Sequence, residues 1–481
     1  MKNLIYLLSI LVLVSACNPG GKREKDGFSA IDSTHLEAKN LYSIHCAGCH
    51  GADMGGGNAA ALIKEDWKYG RTKGLMFRNV KFGIPGTEMA TFEAVLSDDN
   101  IGKLVSYIRE SQGTPPERKV DLPDIIQTAD YKITIEKVVN GGIEVPWAIE
   151  FVDNEHALIS ERTGKLRWLV NGKINKEPVH GTPAVYLGTS TGGYMDIALD
   201  PNYTRNGWVY LSYSYSRANY NDSQEPATTR VIRGKIKENQ WTEEQVLFEA
   251  PDSLWVVDGN RWGCRLLFDN EGHLIFTIGD MGRDMDSQDP GVVSGKTFRI
   301  NSDGSIPRDN PYRNTEGALA AIYSLGNRNV QGLSIDPATG KIWASEHGPM
   351  GGDELNILKK GANYGWPVIT YGRDYSGATV SEKTHQEGME QPLWQWTPSI
   401  GVCPIEFVNN SVFEKWKGNL LVGSLAFEDL TRYVIEGDSI VGSELIWRGL
   451  GRIRDVKTAP DGSIYVVLNS PDWIVRLGVS K

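Results

Sequence analysis

The sequence predicts a small all-α domain followed by an all-β six-bladed β-propeller. Three observations carry that reading. Near the start, Cys46-Ala47-Gly48-Cys49-His50 lies among stretches whose apolar residues recur at helical spacing. From Tyr131 onward, strand-like alternation replaces that spacing. Within the second region one phrase, a polar turn followed by an apolar strand and a loop, returns six times. Repetition of that kind marks an architecture of stacked units. The length of 481 residues also exceeds one ordinary domain.

Met1-Lys2-Asn3 is a short basic start and Leu4–Val14 an apolar run. The run falls short of the roughly 20 residues that a membrane span needs, so residues 1–16 read as an export signal. Val14-Ser15-Ala16-Cys17 closes it with small residues ahead of a cysteine and resembles the lipobox of bacterial lipoproteins. That resemblance implies cleavage before Cys17 and acylation of Cys17. The chain would then be held in an envelope membrane facing the periplasm, the outer membrane in preference to the inner. Several acyl chains anchor stably where one does not. An ordinary signal peptide with a chance cysteine is the alternative. Residues 17–33, polar and without apolar periodicity, form a tether.

In the domain over 34–112, two cysteines two residues apart and followed by histidine are the pattern of covalent haem attachment. Thiols one helical turn apart can each form a thioether to a haem vinyl group, and His50 then reaches the iron. A redox CxxC or half of a zinc site is the other reading. Zinc needs two more ligands at similar spacing, and the sequence has no second CxxC or HxxxH. Helices are expected over Thr34–Ser43 and Ser97–Glu110, the latter with Ile101, Leu104, Val105 and Ile108 on one face. Over these residues the chain resembles the class I cytochrome c family, which implies His/Met ligation of the iron. Met89, in the Gly/Pro-rich stretch Gly83–Phe92, is the expected second ligand. Met54 lies close to His50 in sequence, and Met76 lacks a comparable loop; both compete.

Residues 113–130, with Pro115, Pro116 and Pro123, read as a semi-stiff linker. The repeated phrase then precedes Ala157–Ser160, Trp208–Ser212, Leu274–Ile278, Ile342–Ser345, Leu420–Gly423 and Ile464–Val467. Six copies over 131–479 predict six blades around a channel. A sandwich shares the local pattern but not the repetition.

Three polar constellations interrupt the blades: Gly326–Gly332, Ser345–Glu354 with Asn363–Pro367, and Gly451–Asp455. Paired arginines in such loops suit an anionic planar ligand, because guanidinium forks match carboxylates. Asp353 and Glu354 among glycines suit a hard cation such as Ca²⁺. Salt bridges that merely join blades are the bland alternative. At these residues the chain resembles the PQQ-dependent soluble aldose and glucose dehydrogenases. The resemblance includes Pro146-Trp147, Glu161–Gly164, Gly279-Asp280, Arg299-Ile300-Asn301 and Trp396–Ile400. It implies PQQ bound by Arg328, Asn329, Arg452 and Arg454. It also implies one Ca²⁺ on the carbonyls of Gly348 and Pro349, and a second on Asp353, Glu354 and the Tyr364 carbonyl.

Three positions depart from that family. The slot of its catalytic histidine holds Arg261, which keeps its proton and cannot act as a base. Its PQQ-contacting lysine is replaced by Ala426, and a sugar-binding glutamine by Thr191. His347 is the candidate replacement base, and the Arg261 cation would favour an acidic sugar such as a uronate.

Composition excludes some classes. A net charge of -10 and the lack of a basic, aromatic-interleaved patch argue against nucleic acid. Of five cysteines, Cys264 and Cys403 have no assigned chemistry; they could pair as a disulfide in an oxidising compartment, but buried free thiols are the expectation. The expected function is a periplasmic quinohaemoprotein oxidoreductase. It would oxidise a sugar or related alcohol and pass electrons through haem c to a downstream respiratory acceptor. The alternative is a catalytically lapsed propeller that binds a glycan or a partner, joined to an electron-carrying cytochrome. A Ca²⁺-dependent lactonase rests on fold alone.

Overall fold

Side-chain caps and apolar stripes set the helices of the N-terminal domain. The computed structural model describes residues 33–52, 54–55, 59, 61–63, 72–84, 87, 89–112, 120–188, 191–217, 224–374 and 378–480. The expected export signal and Cys17 lie outside them. Helix α1 spans Ser33–His45 and the single turn α2 spans Ala47–His50. Helix α3 spans Lys73–Phe82, where the sequence reading placed no helix. The Thr72 hydroxyl caps it by accepting from the Leu75 amide at 3.3 Å. Helix α4, Asp98–Glu110, starts where Ser97 Oγ accepts from the Asn100 amide at 3.2 Å, with Asp98 and Asp99 suiting the positive helix end. Its buried face (Ile101, Leu104, Val105, Ile108) packs with Tyr42, Cys46, Met54, Met76 and Val80 into one core.

The second region is a ring of six antiparallel sheets. Each repeated phrase forms the second strand of its blade: His156–Glu161, Trp208–Tyr215, His273–Ile278, Ile342–Glu346, Leu420–Ser424 and Ile464–Asn469. The sixth blade closes the ring by pairing Trp473–Val479 with the early strand Lys132–Val139. Ile125–Gln127, inside the expected linker, adds a further strand to that sheet. Between blades two and three the aromatic rings of Phe276 and Phe298 stack at 4.9 Å with Phe248 against both. Full burial of one such side chain contributes about 1.5–3 kcal/mol.

First strands meet one another around the channel. They are Pro146–Phe151, Tyr194–Leu199, Leu266–Phe268, Val330–Ile335, Val402–Phe407 and Arg452–Thr458. Five of the six have an irregularity in register near their first residues, as between Val330 and Gly332 or Ile453 and Asp455. A bulge frees a residue from the ladder and re-aims its side chain. At this end of the ring first strands begin and second strands finish, so the loops carrying Gly326–Gly332, Ser345–Glu354 and Gly451–Asp455 gather there.

The buried Arg265 ties the ring together below those loops. Its Nε donates to the Gln331 carbonyl at 2.7 Å and its Nη2 to the Arg454 carbonyl. Asp196 and Asp455 lie 3.5 and 3.4 Å from Nη1. One guanidinium thus spans blades two, four and six. Cys264 and Cys403 are buried free thiols beside it, as expected.

Candidate functional site

The site grows from the loops that begin the first strands. Arg328 and Asn329 precede the first strand of blade four, and Arg452 and Arg454 open that of blade six. His347, Gly348 and Pro349 follow the second strand of blade four. The four expected cofactor residues therefore converge at one end of the channel. Arg454 lies over the Trp147 ring at 4.4 Å, and Arg328 over Trp366 at 5.2 Å.

The charge balance here is unusual. Burial, with Arg452 beside it, pushes Arg454 down to about 10. Nε of Arg328, Nε of Arg454 and Nε1 of Trp147 are buried without a hydrogen-bond partner among the described residues. Buried donors are ordinarily paired, and buried cations ordinarily compensated. A carboxylate-rich planar ligand supplies both acceptors and charge, so the residues present fit PQQ.

His347 sits among these groups. Burial, then Arg328, Arg454 and Arg452, hold its imidazole near 3, so it is neutral. Its Nδ1 lies 3.5 Å from Asn329 Nδ2, and its Nε2 is buried with no partner among the described residues. Asn329 is locked in turn, its Oδ1 accepting from the Gly263 amide and Gln331 Nε2, each at 3.2 Å.

Arg261 is a paired cation where a free one was expected. Its Nε donates to Asp280 Oδ1 at 2.6 Å and its Nη2 to Asp284 Oδ1 at 3.0 Å. Two carboxylates neutralise it, which removes the basis for a preference for uronates. Asp280 is buried and also accepts from Trp366 Nε1 at 3.0 Å. Thr191 is exposed.

Beside His347 a cavity of about 10 Å³ is lined by Glu346, Glu354, Gly348 and Tyr364, among others. That is room for about one water or ion. Burial lifts Glu354 up to about 8, with Glu346 and Asp353 adding to the rise, and lifts Glu346 to about 7. The buried Glu346 and the half-buried Glu354, opposite each other across the strand pair, fit a divalent cation. Asp353, expected as a ligand, does not line this cavity. Its oxygens accept from the Gly348 amide, Ser399 Oγ and the Val402 amide at 2.9, 2.7 and 2.8 Å, which makes it a brace between blades four and five. Of the two carbonyls expected to face the other cation, that of Gly348 accepts from Arg328 Nη1 at 2.7 Å, and that of Pro349 lies 2.9 Å from Ser399 Oγ, whose one proton goes either to it or to Asp353. Each carbonyl retains a second lone pair. Glu346 was missed by the sequence reading; its place beside His347, at the end of a strand, was the available signal.

In the N-terminal domain Cys46 is buried and Cys49 exposed, with His50 closing the same turn. Burial, and the nearby Cys49, push the Cys46 thiol up to about 11. Met89 packs against the core that holds Cys46, and the competitors Met54 and Met76 are buried in that core. The donors fit a haem c.

Comparison with known proteins agrees with this arrangement. Residues 143–476 match the glucose/sorbosone dehydrogenase family, and residues 34–108 match cytochrome c oxidase, cbb3-type, subunit III. An aldose sugar dehydrogenase of Escherichia coli is 36% identical over 352 residues, covering 72% of this chain and 92% of the relative. A crystal structure of a glucose dehydrogenase superposes with a TM-score of 0.68 at 34% identity, covering 72% of this chain and all of that one. The PQQ-bound form of an aldose sugar dehydrogenase from Streptomyces coelicolor gives 0.55 at 25% identity, covering 73% of this chain and 99% of that one.

Proposed function

The chain belongs to the glucose/sorbosone dehydrogenase family, and from that premise we propose that it oxidises a sugar or related alcohol at a PQQ site and passes the electrons to its own haem c. The observation that carries this reading is the cluster of Arg328, Arg452 and Arg454, with donors on Arg328 and Arg454 buried without a partner among the described residues. PQQ, when bound, supplies the two-electron oxidant, and a divalent cation beside it supplies polarisation. Arg452 and Arg454 bind and orient the cofactor's carboxylates, and Trp147 backs the Arg454 guanidinium. Asn329, fixed by Gly263 and Gln331, sets the ring of His347. With Nδ1 facing the Asn329 amide donor, the neutral His347 ring carries its proton on Nε2, which is available to donate to a substrate oxygen. Export, acylation at Cys17, the periplasmic face of the membrane and a respiratory one-electron acceptor complete the proposal.

The Arg261–Asp280 pair favours a second reading, a propeller that binds a glycan or partner without turnover. Anaerobic addition of aldoses and alcohols to the holoprotein with PQQ and Ca²⁺ separates the two. Reduction of the haem by a sugar supports the enzyme. Ligand binding with a permanently oxidised haem supports the binding module.

A further inference from the structure

The loop between the second and third strands of blade five lies at the same end of the ring as the arginine cluster, and α3 rests on it. A Cβ built on Gly74 would lie 2.3 Å from the Ala426 carbonyl oxygen and 2.9 Å from the Ala426 Cβ. The two backbones therefore touch, and larger side chains at 74 or 426 would push them apart. Arg78, four residues along the same helix face, points Nε at Asp429 Oδ2 at 3.2 Å and lies over the Phe427 ring at 5.7 Å. Its side chain is only 4% exposed. Met76 and Val80, also four apart, belong to the core that holds Cys46 and Met89. On the propeller side, the Leu425 carbonyl accepts from Arg452 Nη1 at 3.1 Å. A single helix, about 10 Å across, thus separates the haem-motif core from a loop that touches a cofactor arginine.

We propose that Gly74 and Arg78 on Ala426–Asp429 form a docking interface that holds the haem domain over the mouth of the channel and makes α3 the exit path for electrons. This rests on the oxidoreductase reading above. Oxidising one alcohol to a carbonyl releases two electrons and two protons. The haem iron takes the electrons singly, Fe(III) to Fe(II), handing each to an external ferric cytochrome before accepting the next, and the protons pass to solvent. Ala426 then has a cause of its own: a long side chain there has no room beneath α3.

The full chain with haem, PQQ and Ca²⁺ tests this through Arg78→Glu and Gly74→Leu. X-ray scattering should show a larger radius of gyration in both variants. Haem reduction by sugar should slow by more than about tenfold, because reversing one charge of a buried pair is strongly disruptive. Reduction of a small dye at the propeller, and the dithionite-reduced haem spectrum, should stay as in the wild type. Variants that remain compact and reduce haem at the wild-type rate overturn the proposal. Expansion with undiminished haem reduction overturns the electron path. A wild type that reduces neither haem nor dye counts against the oxidoreductase reading, and the scattering contrast still decides the docking.

Discussion

Arg261 and Asp280 form an ion pair, Nε donating to Oδ1 at 2.6 Å, at the position to which the family resemblance assigns the proton acceptor. Asp280 is anchored from the other side by Trp366 Nε1. A histidine at 261 would meet the same carboxylate, which would orient its ring.

Neutral aldoses should therefore turn over slowly in the wild type, and Arg261→His should raise kcat/KM. General-base contributions of about 10²–10⁴-fold set the scale. Steady-state kinetics on the PQQ- and Ca²⁺-loaded proteins check it. Fast glucose oxidation by the wild type would show that proton removal does not depend on this position.

Arg452→Ala and Arg454→Ala should each weaken PQQ binding by about 1.5–3 kcal/mol, the worth of a charge-assisted contact. Arg454→Ala also strips the cation from Trp147. Calorimetric titration reads both, and equal affinities would remove the arginines from the cofactor's site.

Met89→Ala should abolish the sulfur-ligated signature of the haem spectrum while the haem stays attached through Cys46 and Cys49. Persistence of that signature would move the role to Met54 or Met76, which share the same core.

Chelation should lower the thermal midpoint if a divalent cation bridges Glu346 and Glu354, because it leaves a buried and a half-buried carboxylate facing each other. Glu354→Gln should make the protein insensitive to chelator. Scanning calorimetry with and without Ca²⁺ distinguishes this from a cavity that holds only water.

Lys296 is fully buried and donates to the carbonyls of Asp286, Ser287 and Ser294 at 2.8, 3.1 and 2.6 Å. Lys296→Met should destabilise the propeller by several kcal/mol, at about 1–3 kcal/mol for each carbonyl left without a partner. Burial pushes this amine downward, while its three carbonyl partners call for the three protons of the ammonium form. Denaturant titrations of wild type and variant at neutral pH read the loss.

Much of the fold was legible because its signals are local. The haem turn needs only five consecutive residues, and the helix over 98–110 carries its own cap and stripe. The second strands follow polar turns that can be read in isolation. Helix α3 was missed because Thr72, its cap, follows a stretch without clear periodicity, and its two buried faces blur a single stripe. Ile125–Gln127 looked like linker because three residues become a strand only when a neighbour offers a ladder.

The sequence by itself determined the two-part architecture, the haem motif and the arginines that gather at one end of the ring. Periodicity and motif spacing record which residues are buried and which chemistry they carry. Only the tertiary structure decided what each group faces. It turned Arg261 from a free cation into a compensated one, gave Asp353 a bracing role between blades four and five, and turned Ala426 from a lost lysine into a seat for Gly74. The physical reason is that charge compensation and close packing depend on partners brought together by ring closure and domain docking. Spacing along the chain does not encode those partners.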